Sequence, residues 1–146
     1  MASRLLLSLL LCASTMSAHA YTSCHGTTID NPAEQLMPCP DTPNCVSTDH
    51  AKSNRRLPAP TDVSLAQVRR AVEAEARSSI VAEGDNWLIA HFKSRLFGFV
   101  DEAHFISRPD GSLAMRSGAC SGYWDMGVNG RRIERLLERA REDQSP

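Results

Sequence analysis

A chain of 146 residues with 16 basic and 17 acidic side chains, a formal net charge of −1, lacks the basic footprint that nucleic-acid binding calls for. No apolar run reaches the roughly eighteen residues that a membrane-spanning helix needs. The length suits one domain able to bury about two thirds of its unfolded surface.

The chain begins with a processing signal. Arg4 gives a positive start, Leu5 to Ala13 form a short apolar run, and Ala18-His19-Ala20 is a small-x-small cleavage pattern. Residues 1–20 are therefore expected to be a secretory signal peptide, and the mature chain to be periplasmic or secreted with no transmembrane segment. A lipid anchor is disfavoured: Cys12 follows Leu11 where a small residue is needed, and Cys24 lies far beyond the apolar run. Four cysteines remain after cleavage, Cys24, Cys39, Cys45 and Cys120. In an oxidising compartment these predict two disulfides, with three possible connectivities. The loop "PDTPN" favours a local Cys39–Cys45 pair, and Cys24–Cys120 would then staple the N-terminal arm to the later stretch "RSGACSGYWDMGVNG". A zinc site is the competing reading of the cysteines, but it needs short paired spacings such as C-x2-C, which are absent, so no metal is expected; no cofactor is assigned either.

Residues 21–63 read as an extended arm rather than helix or sheet. Six of the eight prolines lie there, each fixing its own φ and restricting the residue before it. Asn31, Asp41, Asn44 and Asp49 add turn chemistry. Ser64 and Gln67 then have the spacing of a capping box, and Leu65, Val68, Val72 and Ala76 recur at helical period, predicting a helix over 64–77. "SSIVAEGDNWLIAHFKS" reads as a hairpin, and "LFGFVDEAHFISRPDGSLAMRS" as two further strands about the turn "RPDG". Apart from Tyr21, every aromatic of the mature chain lies between Trp87 and Trp124, which assigns most of the core to this sheet. Asn129 is the expected N-cap of a last helix over 129–142, with Ile133, Leu136, Leu137 and Ala140 as its apolar stripe. Interleaved arginines and glutamates give it a solvated, ion-paired outer face. Helix, four strands and helix without alternation predict an α+β domain over 64–146. Its four-stranded antiparallel sheet carries both helices on one face, and the Pro-rich arm is pinned to it by disulfides.

Three ordered blocks carry a resemblance. "PCPDTPNCVS" (38–47), "SRLFGFVDEAHF" (94–105) and "RSGACSGYWDMGVNGRRIE" (116–134) resemble the motifs of the family called domain of unknown function 1499. The matching positions include Cys39, Asn44 and Cys45; Phe97, Gly98, Phe99 and Asp101; and Arg116, Ser117, Gly122, Tyr123, Asp125, Gly127, Asn129 and Arg132. The resemblance implies a small domain, often exported or membrane-associated, and brings no established activity. Two positions depart from the family pattern: Cys120 stands where a basic residue is usual, and Trp124 where a small polar residue is usual.

The chemistry-bearing residues admit bland and functional readings. Asp101 and Glu102 adjoin on a strand and so point to opposite faces, which disfavours a two-carboxylate hydrolase. Arg116 needs a carboxylate partner, with Asp101 or Asp125 the natural candidates, or an anionic ligand for its planar fork. The glycine-bearing start of the last helix, with Asn129, Arg131 and Arg132, could receive an anion but also suits an ordinary helix start. Ser117, Ser121 and Cys120 lack a nucleophile elbow. His91 and His104 fill strand positions from which they could approach one another, and His25 and His50 lie in the arm without context. No catalytic residue is assigned. Arg116, Ser117, Tyr123, Asp125, Asn129, Arg132 and Asp101 are the candidate ligand-binding residues. The expected function is a non-enzymatic binding or accessory module of the cell envelope, its partner an envelope protein or small anionic ligand. The alternative is a small hydrolase acting on an anionic envelope molecule, with Asp101 or Asp125 as base and Arg116 as clamp.

Overall fold

The computed structural model describes residues 20–143, so the predicted signal peptide falls outside the described residues except for Ala20. Strands β4 (Ser78–Glu83), β5 (Trp87–Lys93), β6 (Val100–Ser107) and β7 (Leu113–Ala119) form the expected antiparallel meander. The sheet has a fifth strand, however. The arm contributes β3 (Cys45–Ser47), which pairs antiparallel with β7 and completes the order β3-β7-β6-β5-β4. β3 caps what would otherwise be the open edge of β7. Three residues after a proline-rich loop are too few to display a period, which is why the arm read as wholly irregular. Farther upstream, β1 (Tyr21–Thr22) and β2 (Thr28–Ile29) make a separate two-stranded ribbon.

Helix α1 spans Leu65–Glu73 with both halves of the capping box present: Ser64 Oγ accepts from the Gln67 amide, and Gln67 Oε1 accepts from the Ser64 amide. It stops one turn short of the expected end. Ser78 Oγ donates to the carbonyls of Val72 and Glu75, satisfying the last turn, and Arg77 takes a left-handed φ of 60° that redirects the chain into β4. Helix α2 spans Val128–Glu142. Its outer arginines pair across the molecule rather than along their own helix: Arg135 and Arg139 with Glu75, and Arg141 with Asp62. Such exposed pairs contribute little each.

Alternation along the strands sorts the core into two layers. Leu88, Ala90, Phe92, Ala103, Phe105, Leu113 and Met115 face the helices and pack with Val68, Val72, Ile133, Leu136 and Ala140. The opposite face carries Trp87, Ile89, Ile106 and Ala114, covered by Ile29, Leu36 and Met37 of the arm. The arm is thus a structural layer, and the sheet is buried on both sides. Cys24–Cys120 and Cys39–Cys45 hold it there, with Cα separations of 5.4 and 5.6 Å. No described helix is long and apolar enough to cross a membrane.

The aromatic residues do not all enter this core. Gly98 adopts a φ of 68°, so residues 94–99 leave the sheet as a loop and β6 begins only at Val100. Phe97, Phe99, Tyr123 and Trp124 stand exposed, and Phe92 and Phe105 are the buried aromatics of the helix-side core.

Candidate functional site

Asp101 and Glu102 follow one another on β6, and the pleat sends them to opposite faces, each into a buried polar network. On the helix side, Arg132 Nη2 donates to Asp101 Oδ2 at 2.6 Å while its Nη1 donates to Asn129 Oδ1 at 2.9 Å. The guanidinium lies 4.8 Å from the centre of the Phe92 ring, a cation–π position. Ser117 Oγ donates to the same Asn129 oxygen, and Asn129 Nδ2 donates to the Asn44 carbonyl and to Asp125 Oδ2. Asn44 Nδ2 closes the set by donating to the Gly122 carbonyl at 2.6 Å. One network therefore joins β6, β7 and α2 to Asn44, the residue before β3.

Asn129 is not the N-cap that the sequence suggested. Met126 and Gly127 take left-handed φ values of 53° and 76°, which start the helix at Val128 and turn the Asn129 side chain inward, where it is fully buried. Asp125 takes over the capping role: its carboxylate accepts from the amides of Gly127 and Asn129, both at 3.0 Å. Burial alone would raise the Asp125 pKa, but the hydrogen bonds from Asn129 and Gly127 outweigh it and hold the carboxyl below its usual range. Asp125→Ala is expected to cost about 1–2 kcal/mol in urea denaturation at neutral pH, the loss of a helix cap.

The arm side holds the second network. Arg116 and Glu102 are both 0% exposed, and Arg116 Nη1 donates to the Glu102 carbonyl at 3.0 Å and to Glu102 Oε1 at 3.4 Å. The other carboxylate oxygen accepts from the Tyr21 hydroxyl at 2.9 Å and the Cys24 amide at 3.1 Å, with His91 Nε2 also at 3.1 Å. Neither expected partner of Arg116, Asp101 or Asp125, reaches it, because both lie in the helix-side network and Arg116 points to the arm. Arg116 Nε and Nη2 find no acceptor among the described residues. Gly118 makes room for the guanidinium: a Cβ there would stand 3.0 Å from Arg116 Nη2 and 2.8 Å from Cys45 Sγ. Burial alone would raise the Glu102 pKa. The bonds from His91, Tyr21 and Cys24 and the charge of Arg116 outweigh that and keep it ionised below the usual carboxylate range.

His104 lies on the same face, fully buried, and its partners differ from those of His91. Nδ1 accepts from the Met37 amide at 3.2 Å and Nε2 meets the Pro32 carbonyl at 2.8 Å, so the ring is neutral with its proton on Nε2. Burial drives its pKa down to about 4. The two histidines do not form the base or metal pair their strand positions allowed. No group of three His, Cys, Asp or Glu side chains among the described residues is placed to hold a metal ion.

Residues 35–139 match the family model described as Protein of unknown function (DUF1499). The chain belongs to this family. No curated protein and no solved structure matches it. The three DUF1499 blocks converge on one end of the sheet: Cys45 pairs with Gly118, Asp101 pairs with Ala119, and the Cys120 amide donates to the Val100 carbonyl. Of the DUF1499 positions, Asn44, Asp101, Arg116, Ser117, Asn129 and Arg132 are buried in the two networks, whereas Phe97, Phe99 and Tyr123 project into solvent. Cys120 is bonded to Cys24, and Trp124 extends the exposed aromatic set, its ring 5.8 Å from that of Tyr123.

The seven sequence-nominated residues thus divide. Ser117, Asn129, Arg132, Asp101 and Asp125 come together, Arg116 lies across the sheet from them, and Tyr123 stands apart at 60% exposure. The residues missed were Glu102 as the partner of Arg116, Tyr21 and His91 around it, and His104 as the anchor of the arm. A groove of about 440 Å³ between the arm and the turn at 53–55 is lined by Met37, Cys39, His50, Lys52 and Arg55, and by none of the seven.

Proposed function

We propose that the protein is an exported, non-enzymatic binding module of the cell envelope, whose contact surface is the aromatic end of the sheet. One observation carries this reading: Asp101, Glu102, His104, Arg116, Ser117, Asn129 and Arg132 are held inside, while Leu96, Phe97, Phe99, Tyr123, Trp124 and Met126 stand in solvent. A clamp-and-base hydrolase would need an open carboxylate beside Arg116. Asp101 and Asp125 hold internal partners on the opposite face, and Arg116 has no solvent exposure. In this reading the two networks shape the loops, and Tyr123 is the nominated residue that meets the partner. The leader pattern and two disulfides are compatible with export to an oxidising compartment.

The test is site-specific photo-crosslinking in cells. A photoreactive residue at position 97 or 124 is expected to give adducts. One at position 110, in the turn at the far end of the sheet, is expected to give none. Equal labelling from all three positions would remove the aromatic end as the contact surface. Intact-mass measurement of the envelope-fraction protein, expected to begin at Tyr21, checks export.

A further inference from the structure

We propose that the aromatic end seats on the surface of an anionic lipid bilayer, an assignment that rests on the binding-module reading above. Two loops leave this end of the sheet side by side, 94–99 after β5 and 120–127 after β7, their bases joined by the hydrogen bond from Cys120 to Val100. Leu96, Phe97, Trp124 and Met126 are 72–84% exposed, so they protrude as tips instead of lining a groove. Protruding apolar tips suit a soft interface that closes around them. Trp124 and Tyr123 each carry an apolar ring and one polar atom, the combination that partitions to the headgroup level of a bilayer.

Charge specifies the kind of bilayer. Lys93 lies against the first loop, its Cε 3.2 Å from where a Gly98 Cβ would stand, and Arg95 is in the loop itself. Arg131 folds against the second loop, its Nη1 2.9 Å from the Cβ position of Gly127. Arg77 reaches the same end, donating to the Lys93 carbonyl. Lys93, Arg95 and Arg131 have no carboxylate partner among the described residues. Of the neighbouring carboxylates, Asp101 and Glu102 are ion-paired with Arg132 and Arg116, whereas Asp125, bonded to neutral amides at the helix start, keeps its negative charge in the second loop. Lys93, Arg95, Arg131 and Arg77 thus outnumber the one uncompensated carboxylate of the two loops although the whole chain is slightly acidic, and at moderate salt charges act over only about 10 Å. Aromatic tips inside a basic collar complement an anionic headgroup layer.

The experiment is vesicle co-sedimentation of the exported protein, its start at Tyr21 verified by mass. The probes are phosphatidylcholine vesicles with and without about a third phosphatidylglycerol. Wild type is expected to pellet with the anionic vesicles and stay in solution with the neutral ones, and added salt should release it. Phe97→Ser/Trp124→Ser should weaken binding by about tenfold or more, and Arg95→Ala/Arg131→Ala by several-fold on anionic vesicles only. Both pairs involve exposed side chains, so an unchanged melting temperature confirms that each variant is folded. Failure of wild type to bind anionic vesicles, or equal binding by all variants, overturns the lipid assignment. If vesicles fail while positions 97 and 124 crosslink to a protein in cells, the surface stands and its partner is a protein. If neither binds, the binding-module reading falls as well.

Discussion

Glu102→Ala is expected to destabilise the protein by about 3–5 kcal/mol in non-reducing urea denaturation at neutral pH, the range for breaking a buried ion pair from one side. The carboxylate is fully buried and serves donors from four segments: Arg116 on β7, His91 on β5, Tyr21 on β1 and the Cys24 amide in the arm. Removing it leaves a guanidinium in the interior that already has two nitrogens without acceptors. It also strands the Tyr21 hydroxyl and a backbone amide, each an added desolvation cost. Glu102→Gln should fall between, because the amide keeps the shape and one acceptor but lacks the charge. Removing both charges with Glu102→Leu/Arg116→Met should recover much of the loss, since an apolar pair of similar volume does not need to offset the desolvation of two ions. The reciprocal cycle gives a coupling free energy that a merely space-filling Glu102 would not show. A loss below about 1 kcal/mol for Glu102→Ala would mean that water reaches the cluster and the pair is not buried in solution.

That this pair went unread in the sequence has a definite physical cause. Alternation alone says that Asp101 and Glu102 face opposite ways, but not which of them shares a face with Arg116. That depends on the register of β6 against β7, which pairs Ser107 with Leu113 and therefore His104 with Arg116. One residue more or less in the turn between them would put Arg116 on the face of Asp101 instead. "RPDG" announces a turn without fixing its length to one residue. The start of α2 posed a similar ambiguity. Asp125 and Asn129 are both good caps, and the choice was made by left-handed geometry at Met126, a residue type that does not advertise it. What was legible rested on strong local signals: the capping box at Ser64, the hairpins, the apolar stripe of α2 and the two-disulfide arithmetic. What was lost was long-range. β3 is short and its pairing lies across the chain, and Phe97, Phe99 and Trp124 look like core until Gly98 and Gly122 lift their loops out of the sheet.

The second large effect is acid sensitivity set by His104. Its folded pKa of about 4 lies below the 6.5 of a free histidine because it is buried, with Arg116 adding repulsion. Between those values the unfolded chain takes up a proton that the folded chain refuses, so stability is full above pH 6.5 and falls as pH drops toward 4. A gap of about two and a half pH units corresponds to a loss of about 3 kcal/mol, with no further loss from this group below it. His50 is also depressed, by burial first and then by Arg55, Lys52 and Arg56, and acts in the same direction from a more exposed place. Glu102 and Asp125, whose pKa values are lowered, contribute stability that is lost only below the usual carboxylate range, so the interval from pH 6.5 to 4.5 isolates the histidines. His104→Gln is the informative variant. Its amide can accept from Met37 and donate to Pro32 without titrating, so it should be less stable at neutral pH and lose most of the slope across that interval, keeping the part that His50 supplies. Hydrogen exchange should place the wild-type loss at the Met37 amide, where the arm meets the sheet. A wild-type slope that survives undiminished in His104→Gln would move the sensitivity away from His104. It would also require His104 to take a proton in the fold at Nδ1, the nitrogen that already accepts from the Met37 N–H.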